Sequence, residues 1–325
     1  MSNNRSLRSI STASGLTGVW PALFTPLKAD DPKRLRNSID YDKAKVIIDD
    51  LIAAGVTGLV PVGTTGQSPT VSPEQHLDMI RFTMDYVDGR VPVIAGAGSN
   101  STRESVDMIQ AIQKAFGPTA VLCVTGYYNN PPQAGLVAHF ETLSAETGAK
   151  IVLYNVPART GSYLEADTLI RLAADKNIIG LKQALDFRSE GAYRVDTANV
   201  IAATRDSDFA VVSGEDDGVA AMLELGGSGV ISASANIPEL AKIFLAVVAA
   251  HNSGDAARAA ALQEDAMPYV KMVFSRKNPI PLGTLLNSPM FLPLVSVRET
   301  PGGEALHAEL LKFMDEKAPS LKKHH

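Results

Sequence analysis

Short apolar runs alternate with longer amphipathic segments along most of the chain. The runs are roughly four to six residues long and are bounded by turn-forming residues, which is typical of strands buried on both faces of a parallel sheet. The segments between them place apolar residues three or four positions apart, which indicates helices. Residues 41–54 have this spacing, and Gly55 supplies a stop signal after them. The pattern therefore predicts repeated strand-helix units.

Eight such units can be counted along the chain. The predicted strands cover residues 18–24, 57–62, 91–95, 119–124, 151–154, 178–181, 209–212 and 229–231. The predicted helices cover residues 41–54, 73–87, 102–116, 133–147, 165–173, 197–204 and 217–225. Alternation of this kind requires a parallel sheet, and eight units favour a closed (β/α)8 barrel, the TIM barrel, over an open doubly wound sheet. We expect the barrel to occupy residues 17–250.

Three segments lie outside the predicted barrel. Residues 1–16 are rich in Ser, Asn and Arg and lack the apolar core of a secretion signal, so they predict a disordered lead-in whose targeting role stays open. Residues 251–316 are rich in Ala and Leu and are interrupted by prolines, which predicts a C-terminal helical appendage on the barrel. Residues 317–325 end in Lys-Lys-His-His and resemble a tail or tag remnant.

Composition narrows the class of protein. Hydrophobic residues make up 45% and charged residues 20%, as in a soluble globular protein, and the net charge of -5 argues against nucleic-acid binding. The apolar runs are too short to span a membrane. Cys123 is the single cysteine, which excludes an internal disulfide and fits a cytoplasmic location. The histidines have no ligand spacing, and we expect no metal.

Two neighbouring predicted strands each end in one polar side chain, Tyr154 and Lys182. One strand-helix unit separates them, so we expect the phenol and the amine to share a pocket at the carboxyl ends of the strands. A partly desolvated lysine can become neutral and attack a carbonyl carbon, while a phenol beside it transfers protons. The alternative is a strand-end lysine that extends to solvent beside a core tyrosine, and spacing alone leaves it open.

Polar residues follow other predicted strands as well. Thr64 and Thr65 lie between two glycines, where hydroxyls and amides can hold a small carboxylate, although a plain turn is the alternative. Tyr127 and Tyr128 form an aromatic pair before two prolines, as is common at interfaces. Arg159 follows Tyr154 by five residues and can bind a second carboxylate, unless it is an ordinary surface arginine.

From residue 18 to about residue 291, the chain resembles the dihydrodipicolinate synthase and N-acetylneuraminate lyase superfamily, and within it the dihydrodipicolinate synthase branch. The resemblance rests on six segments with a specific order and spacing. They are Gly-Thr-Thr-Gly at 63–66, Tyr-Tyr-Asn-x-Pro at 127–131, Tyr-Asn-Val-Pro-x-Arg-Thr-Gly at 154–161, Gly-Leu-Lys at 180–182, Ser-Gly-Glu-Asp-Asp at 213–217 and Asn-Pro-Ile-Pro at 278–281.

The resemblance implies a lyase of the class I aldolase type, in which Lys182 forms an imine with pyruvate and Tyr154 transfers protons. No other cofactor is implied. The enamine would attack aspartate semialdehyde and give hydroxy-tetrahydrodipicolinate on the route to lysine. The resemblance also implies that Thr64 is a relay hydroxyl and that the Tyr128 phenol reaches the neighbouring subunit's site. Thr65 would bind the pyruvate carboxylate, and Arg159 the second carboxylate. Gly214 and Ile231 would be backbone positions of the pocket.

The resemblance also implies a homotetramer of two tight dimers and a possible lysine-binding regulatory site. Its positions correspond to Ser68, His76, Asn100, Glu104 and Tyr127. Pro73 stands where lysine-sensitive members often have a histidine, so we expect weak or absent inhibition. The alternative for Asn100 and Glu104 is that they merely begin a helix.

Three departures from the family pattern bear on the second substrate. Gln67 and Gln183 replace common acids, and the charged loop at residues 28–38 is long. The reaction class is unaffected, but the acceptor stays open. One candidate acceptor is aspartate semialdehyde. The alternative is a sugar-acid or other aldehyde, which would make the protein a related aldolase, lyase or dehydratase. A barrel that only binds a keto acid or an amino acid is the non-enzymatic alternative.

Overall fold

Eight parallel strands form the centre of the molecule. The structure is a computed structural model, and it describes residues 9–186 and 188–325. The strands are β1 (Gly18–Leu23), β2 (Val60–Pro61), β3 (Ala95–Gly96), β4 (Val121–Val124), β5 (Ile151–Asn155), β6 (Ile178–Gln183), β7 (Ala210–Ser213) and β8 (Gly229–Ser232). Each of β3 to β8 pairs with its neighbour in sequence, and β1 pairs with both β8 and β2.

A parallel bridge between Leu59 and Val93 joins the β2 and β3 sides of the sheet. The strands therefore form a nearly closed barrel, and the predicted TIM barrel is confirmed. Strands β2 and β3 are each two residues long, shorter than the segments 57–62 and 91–95 that the sequence pattern predicted. Pro61 and Pro92 lie in these segments and have no N–H to donate, which limits the ladder there.

Helices cover the outside of the barrel. They are α1 (Tyr41–Ala54), α2 (Pro73–Val87), α3 (Thr102–Phe116), α4 (Gln133–Thr147), α5 (Pro157–Thr160), α6 (Ala166–Ala173), α7 (Ala192–Ala203), α8 (Val219–Glu224) and α9 (Pro238–Asn252). The apolar faces of these helices pack on the outer face of the sheet in one large core that includes Phe140, Phe244 and Cys123. Burial raises the pKa of the Cys123 thiol to about 12.

Helix α7 begins five residues earlier than predicted. Its first turns expose Tyr193 and Val195, so the buried face begins only at Thr197 and Val200. The apolar periodicity therefore marks just the second part of the helix. The four-residue helix α5, which carries Arg159, was not predicted, because so short a segment shows no periodicity.

A second, smaller core fills the inside of the barrel and includes Trp20, Tyr154 and Ile231. Ile10 and Leu16 from the lead-in belong to it and fill the end of the barrel at which the strands begin. The Ser9 hydroxyl donates to the Val93 carbonyl at 2.7 Å. The prediction of a disordered lead-in is thus wrong for residues 9–16, since burial of two apolar side chains fixes this segment. Residues 1–8 lie outside the described residues.

The C-terminal region contains α10 (Ala256–Val273), α11 (Ile280–Leu285) and α12 (Gly303–Lys317), which form the predicted helical appendage. A 3-10 helix, Pro319–His324, follows and packs against the barrel side of the molecule. Leu321 is buried, and the backbone N–H and hydroxyl of Ser320 donate to the Glu239 carboxylate at 2.9 and 2.7 Å. The segment between α10 and α11 reaches the barrel mouth, which brings this region to the site described next.

Candidate active site

Tyr154 on β5 and Lys182 on β6 are direct partners in the parallel ladder. The Lys182 Nζ lies 4.4 Å from the centroid of the Tyr154 ring, within the range of a cation–π contact. Only 6% of Lys182 and 7% of Tyr154 is exposed. Both residues lie near the carboxyl ends of their strands, where active sites of this barrel form. The structure therefore places the amine and the phenol together, as their spacing predicted.

A cavity of about 400 Å³ opens above this pair. Its lining includes six of the predicted site residues: Thr64, Thr65, Tyr154, Arg159, Lys182 and Gly214. Ile231 does not line it, because its side chain is buried in the inner core of the barrel. The loops after β2, β5, β6 and β7 thus contribute to one small polar cavity around a buried amine. Such a cavity can hold a small molecule with carboxylate groups.

Asn278, from the C-terminal region, connects two sides of this cavity. Its side-chain Nδ2 donates to the Thr65 Oγ1 at 2.9 Å, and its backbone carbonyl oxygen accepts from the Arg159 Nη2 at 3.2 Å. Asn278 appeared in the sequence only as part of a motif, and its contacts join residues that are distant along the chain. The appendage therefore helps to position the loops of the barrel.

Tyr128 does not line this cavity. Its side chain is 90% exposed, and it lines neither this cavity nor the larger one described below. Its φ of 72° is in the left-handed region, which costs energy for a tyrosine, while its N–H donates to the Thr160 carbonyl at 3.3 Å. Within the described part of the chain, the Tyr128 side chain has no hydrogen-bond or aromatic partner, although its backbone conformation is strained.

Residues 15–305 match the model of the dihydrodipicolinate synthetase family. The chain belongs to the dihydrodipicolinate synthetase family. It is 40% identical over 272 residues to the 4-hydroxy-tetrahydrodipicolinate synthase of Haloarcula marismortui, covering 83% of each chain.

Solved structures of this family are also similar. The chloride-inhibited dihydrodipicolinate synthase of Acinetobacter baumannii, complexed with pyruvate, is 32% identical with a TM-score of 0.81, and the match covers 91% of this chain and 98% of the other. A dihydrodipicolinate synthase variant described as the first monomeric one is 33% identical with a TM-score of 0.82. The match covers 92% of this chain and 97% of the variant.

The two glutamines that depart from the dihydrodipicolinate synthetase family pattern are buried outside the cavity. The Gln67 Nε2 donates to the Thr25 carbonyl at 3.1 Å, and its Oε1 accepts from the Phe291 N–H at 3.2 Å. Gln183 likewise accepts from Asn155 and donates to the Thr197 hydroxyl. An amide serves both roles, whereas an ionised carboxylate could not donate. These substitutions therefore change packing between elements and leave the cavity lining as it is.

The long charged loop at residues 28–38 contributes no residue to the cavity lining. Arg34 forms two hydrogen bonds of 2.8 Å with the Glu299 carboxylate in the C-terminal region. The loop thus joins the barrel to the appendage, and its contacts give no reason for a different substrate.

Glu215 lines the cavity, and the sequence reasoning gave it no role of its own. Burial raises the pKa of its carboxyl to about 7, and the negative charges of Asp216 and Asp217 add to this effect. Lys182 and Arg188 act in the opposite direction. The signal available in the sequence was its position, two residues after the end of β7.

A second cavity, of about 860 Å³, adjoins the first and shares Thr64, Tyr154 and Arg159 with it. Four of the five residues predicted for a regulatory site line it: Ser68, His76, Glu104 and Tyr127. The fifth, Asn100, lies beside it, where its Oδ1 accepts from the Tyr127 N–H at 3.0 Å. The structure therefore brings the predicted group together next to the first cavity.

Within residues 9–186 and 188–325, no group of three or more His, Cys, Asp or Glu side chains is arranged to hold a metal ion. No helix in the described part of the chain has both the length and the apolar character needed to cross a membrane.

Proposed function

We propose that this protein is a 4-hydroxy-tetrahydrodipicolinate synthase, which condenses pyruvate with L-aspartate 4-semialdehyde in lysine biosynthesis. The observation that carries the proposal is the buried Lys182 amine beside the Tyr154 ring, in a cavity that also contains Thr64, Thr65 and Arg159. Family membership and the name of the Haloarcula relative support the same reaction.

In the proposed first step, the neutral Lys182 amine attacks C2 of pyruvate and water leaves, which forms an imine. Tyr154 transfers the proton that this step releases, and Thr64 relays it. The hydroxyl of Thr65 binds the pyruvate carboxylate. Because Lys182 itself holds the pyruvate, the reaction requires no further cofactor.

In the second step, the imine loses a C3 proton, and the resulting enamine attacks the aldehyde carbon of the acceptor. The aldehyde oxygen becomes a hydroxyl group. Arg159 binds the acceptor carboxylate through its guanidinium, which suits two parallel hydrogen bonds. The acceptor amine, after losing a proton, attacks the imine carbon, closes the ring and displaces the Lys182 amine. Gly214 contributes backbone to the pocket wall in this scheme.

The proposal includes a homotetramer of two tight dimers in the cytoplasm. In each tight dimer, Tyr128 would reach into the site of the neighbouring subunit and complete its proton relay. The 90% exposure of Tyr128 supports that role. The solved dihydrodipicolinate synthase variant described as the first monomeric one supports an oligomer, since a monomer is then the exception.

Borohydride reduction tests the proposed imine. Pyruvate and borohydride together should add one reduced pyruvate to the protein, located on Lys182 by peptide mass mapping. Lys277→Met is the matched control, since Lys277 is the other lysine that lines the cavity, and this variant should retain the adduct. A protein that binds pyruvate without an adduct would be a keto-acid-binding barrel instead.

The acceptor is tested separately. Coupled assays should show turnover with aspartate semialdehyde and much less with sugar-acid aldehydes. The reverse preference, with the Lys182 adduct intact, would identify a related aldolase or dehydratase rather than the proposed synthase.

A further inference from the structure

Glu215 lies on the opposite side of Lys182 from Tyr154. Strand β6, which carries Lys182, lies between β5 and β7, and Glu215 is the second residue after β7. The Ser213 hydroxyl fixes its main chain, donating to the Glu215 carbonyl at 2.6 Å and accepting from its N–H at 3.0 Å. The backbone of Glu215 is therefore fixed in the loop, and the residue lines the cavity.

The two acids that follow Glu215 have partners of their own. Asp216 is buried, and its Oδ2 accepts from the backbone N–H of Ser234 at 2.7 Å and from the hydroxyl of the same residue. Asp217 forms an ion pair of 2.7 Å with Arg188. Within the described residues, the Glu215 carboxylate has neither a side-chain hydrogen bond nor an ion pair within 4 Å. Glu215 is thus the acid of this segment that is available to a ligand.

Glu215 is also the one acid among the residues that line the 400 Å³ cavity, whose other charged residues are Arg159, Lys182, Arg276 and Lys277. The Arg276 guanidinium is occupied by Thr300, Pro301 and the Ser275 carbonyl. Burial disfavours the ionised form of Glu215, and this cost falls when a cation binds beside it. The cavity therefore has a site that favours a cationic group on the ligand.

We propose that Glu215 binds the ammonium group of the acceptor and thereby selects an α-amino aldehyde over an aldehyde that lacks an amine. This inference rests on the proposed function. Arg159 follows β5 and Glu215 follows β7, two strands apart and about 10 Å between backbones, which leaves room for a zwitterionic head group between the two side chains. Arg159 would bind the carboxylate and Glu215 the ammonium group.

Sugar-acid aldehydes have the carboxylate and the aldehyde but lack a cation. A buried carboxylate left without a partner costs binding energy, so such a ligand is disfavoured at this site. Glu215 is therefore a specificity-determining residue in this proposal, and it takes no part in forming the pyruvate imine.

The test compares two acceptors that differ in the amino group alone. We would measure KM for aspartate semialdehyde and Ki for 4-oxobutanoate, which has the same carboxylate and aldehyde without the amine, in the wild type and in Glu215→Gln. The substitution should raise KM for the amino aldehyde about 10- to 100-fold, the usual effect of losing one charged hydrogen bond. The Ki for 4-oxobutanoate should stay the same or fall, because this ligand makes no contact with the lost charge and no longer leaves a carboxylate unpaired.

Asp217→Asn is the matched control, because it removes the same charge two residues along the chain. It should keep the wild-type ratio of KM for aspartate semialdehyde to Ki for 4-oxobutanoate. The yield of the borohydride adduct and the Tm report whether Glu215→Gln is folded. If that variant fails to fold, two other variants replace it. Glu215→Asp keeps the charge and Glu215→Ser removes it, and the ratio of KM for aspartate semialdehyde to Ki for 4-oxobutanoate must be higher in Glu215→Ser. An unchanged ratio in an active, folded charge-removing variant overturns the inference and leaves the proposed function standing. A wild type that is inactive with aspartate semialdehyde overturns the proposed function itself.

Discussion

The Asn278 side-chain amide donates a hydrogen bond of 2.9 Å to the Thr65 hydroxyl, across 213 positions of sequence. The contact fixes the Thr65 side chain, which is itself only 2% exposed, at the edge of the cavity. A residue of the C-terminal region thereby orients the hydroxyl that we propose for pyruvate binding. The appendage is consequently part of the active-site construction.

Asn278→Ala should weaken pyruvate binding about 3- to 10-fold, because one hydrogen bond that orients Thr65 is lost, at a cost of about 1 kcal/mol. Titration of imine formation against pyruvate concentration measures this. Asn177→Ala is the control, since Asn177 makes a similar amide-to-hydroxyl bond to Ser144 before β6 begins, far from the strand ends that form the site. An equal loss in both variants would mean that general destabilisation, rather than the Thr65 contact, is responsible.

The spacing of apolar residues, together with Gly and Pro at the ends of elements, predicted most of the fold. Helix α4 has the predicted bounds because Pro132 precedes it and Gly148 follows it in a left-handed conformation. The strand-end rule also brought Tyr154 and Lys182 together. The contacts of Asn278 and the packing of Ile10 and Leu16 inside the barrel could not be predicted, because they depend on how distant segments meet, and no local pattern specifies this. Glu215 was missed as a separate site residue because its neighbours have the same charge.

Tyr128→Phe should reduce turnover about 100-fold, the usual size of a general acid–base contribution, without changing the Tm or the yield of the pyruvate adduct. Among the described residues, the exposed Tyr128 phenol makes no hydrogen bond or ring contact that would stabilise the fold. Steady-state assays and thermal unfolding measure both effects. Tyr193→Phe, at another partly exposed tyrosine, should be near wild type.

Mixing two inactive variants shows whether Tyr128 acts across the interface. A hybrid of Tyr128→Phe and Lys182→Ala subunits contains one site with an intact Lys182 and an intact tyrosine from its neighbour. Activity should therefore reappear on mixing and reassembly. No recovery, or full activity of a monomer in solution, would contradict the proposed role.

Arg159→Ala should raise KM for the acceptor about 30- to 150-fold, because a charge-assisted contact worth about 2 to 3 kcal/mol is lost. The pyruvate imine should still form. Arg159→Lys should recover only part of the affinity, since an ammonium group cannot reproduce the two parallel hydrogen bonds. Arg171→Ala removes an exposed ion pair with Glu141 and serves as the control. If the imine half-reaction falls as much as acceptor binding, Arg159 holds the site together instead.

Acid should weaken acceptor binding through Glu215. Its pKa is raised to about 7, and its ionised form is the one that pairs with an ammonium group, so lowering the pH through this value removes the binding form. The charged groups facing it are Asp216, Asp217, Lys182 and Arg188, with Arg159, Arg276 and Lys277 in the same cavity. The kcat/KM for the acceptor should fall towards about tenfold per pH unit below the pKa. Glu215→Gln should lack this step in its pH profile, and an identical step in both proteins would assign it to another group.

L-Lysine should inhibit this enzyme weakly or not at all. In the 860 Å³ cavity, Pro73 offers no donor, and its position at the first turn of α2 is rigid. Other polar groups there are already engaged, since the His76 Nε2 is 2.7 Å from the Gly96 carbonyl and the Glu104 Oε2 accepts from the Ser99 hydroxyl at 2.6 Å. A ligand would have to replace these contacts, which lowers its net gain in binding energy.

Pro73→His tests the reason for this expectation. The first helical position tolerates the change because its backbone N–H has no partner within the helix, so the fold should persist. The new imidazole adds a donor to the cavity, and inhibition by lysine should become stronger than in the wild type. Pro69→His, in the same loop and also lining the cavity, controls for a histidine placed elsewhere. Titration of L-lysine into the coupled assay decides the matter: strong inhibition of the wild type at micromolar lysine would show that the site functions without the histidine.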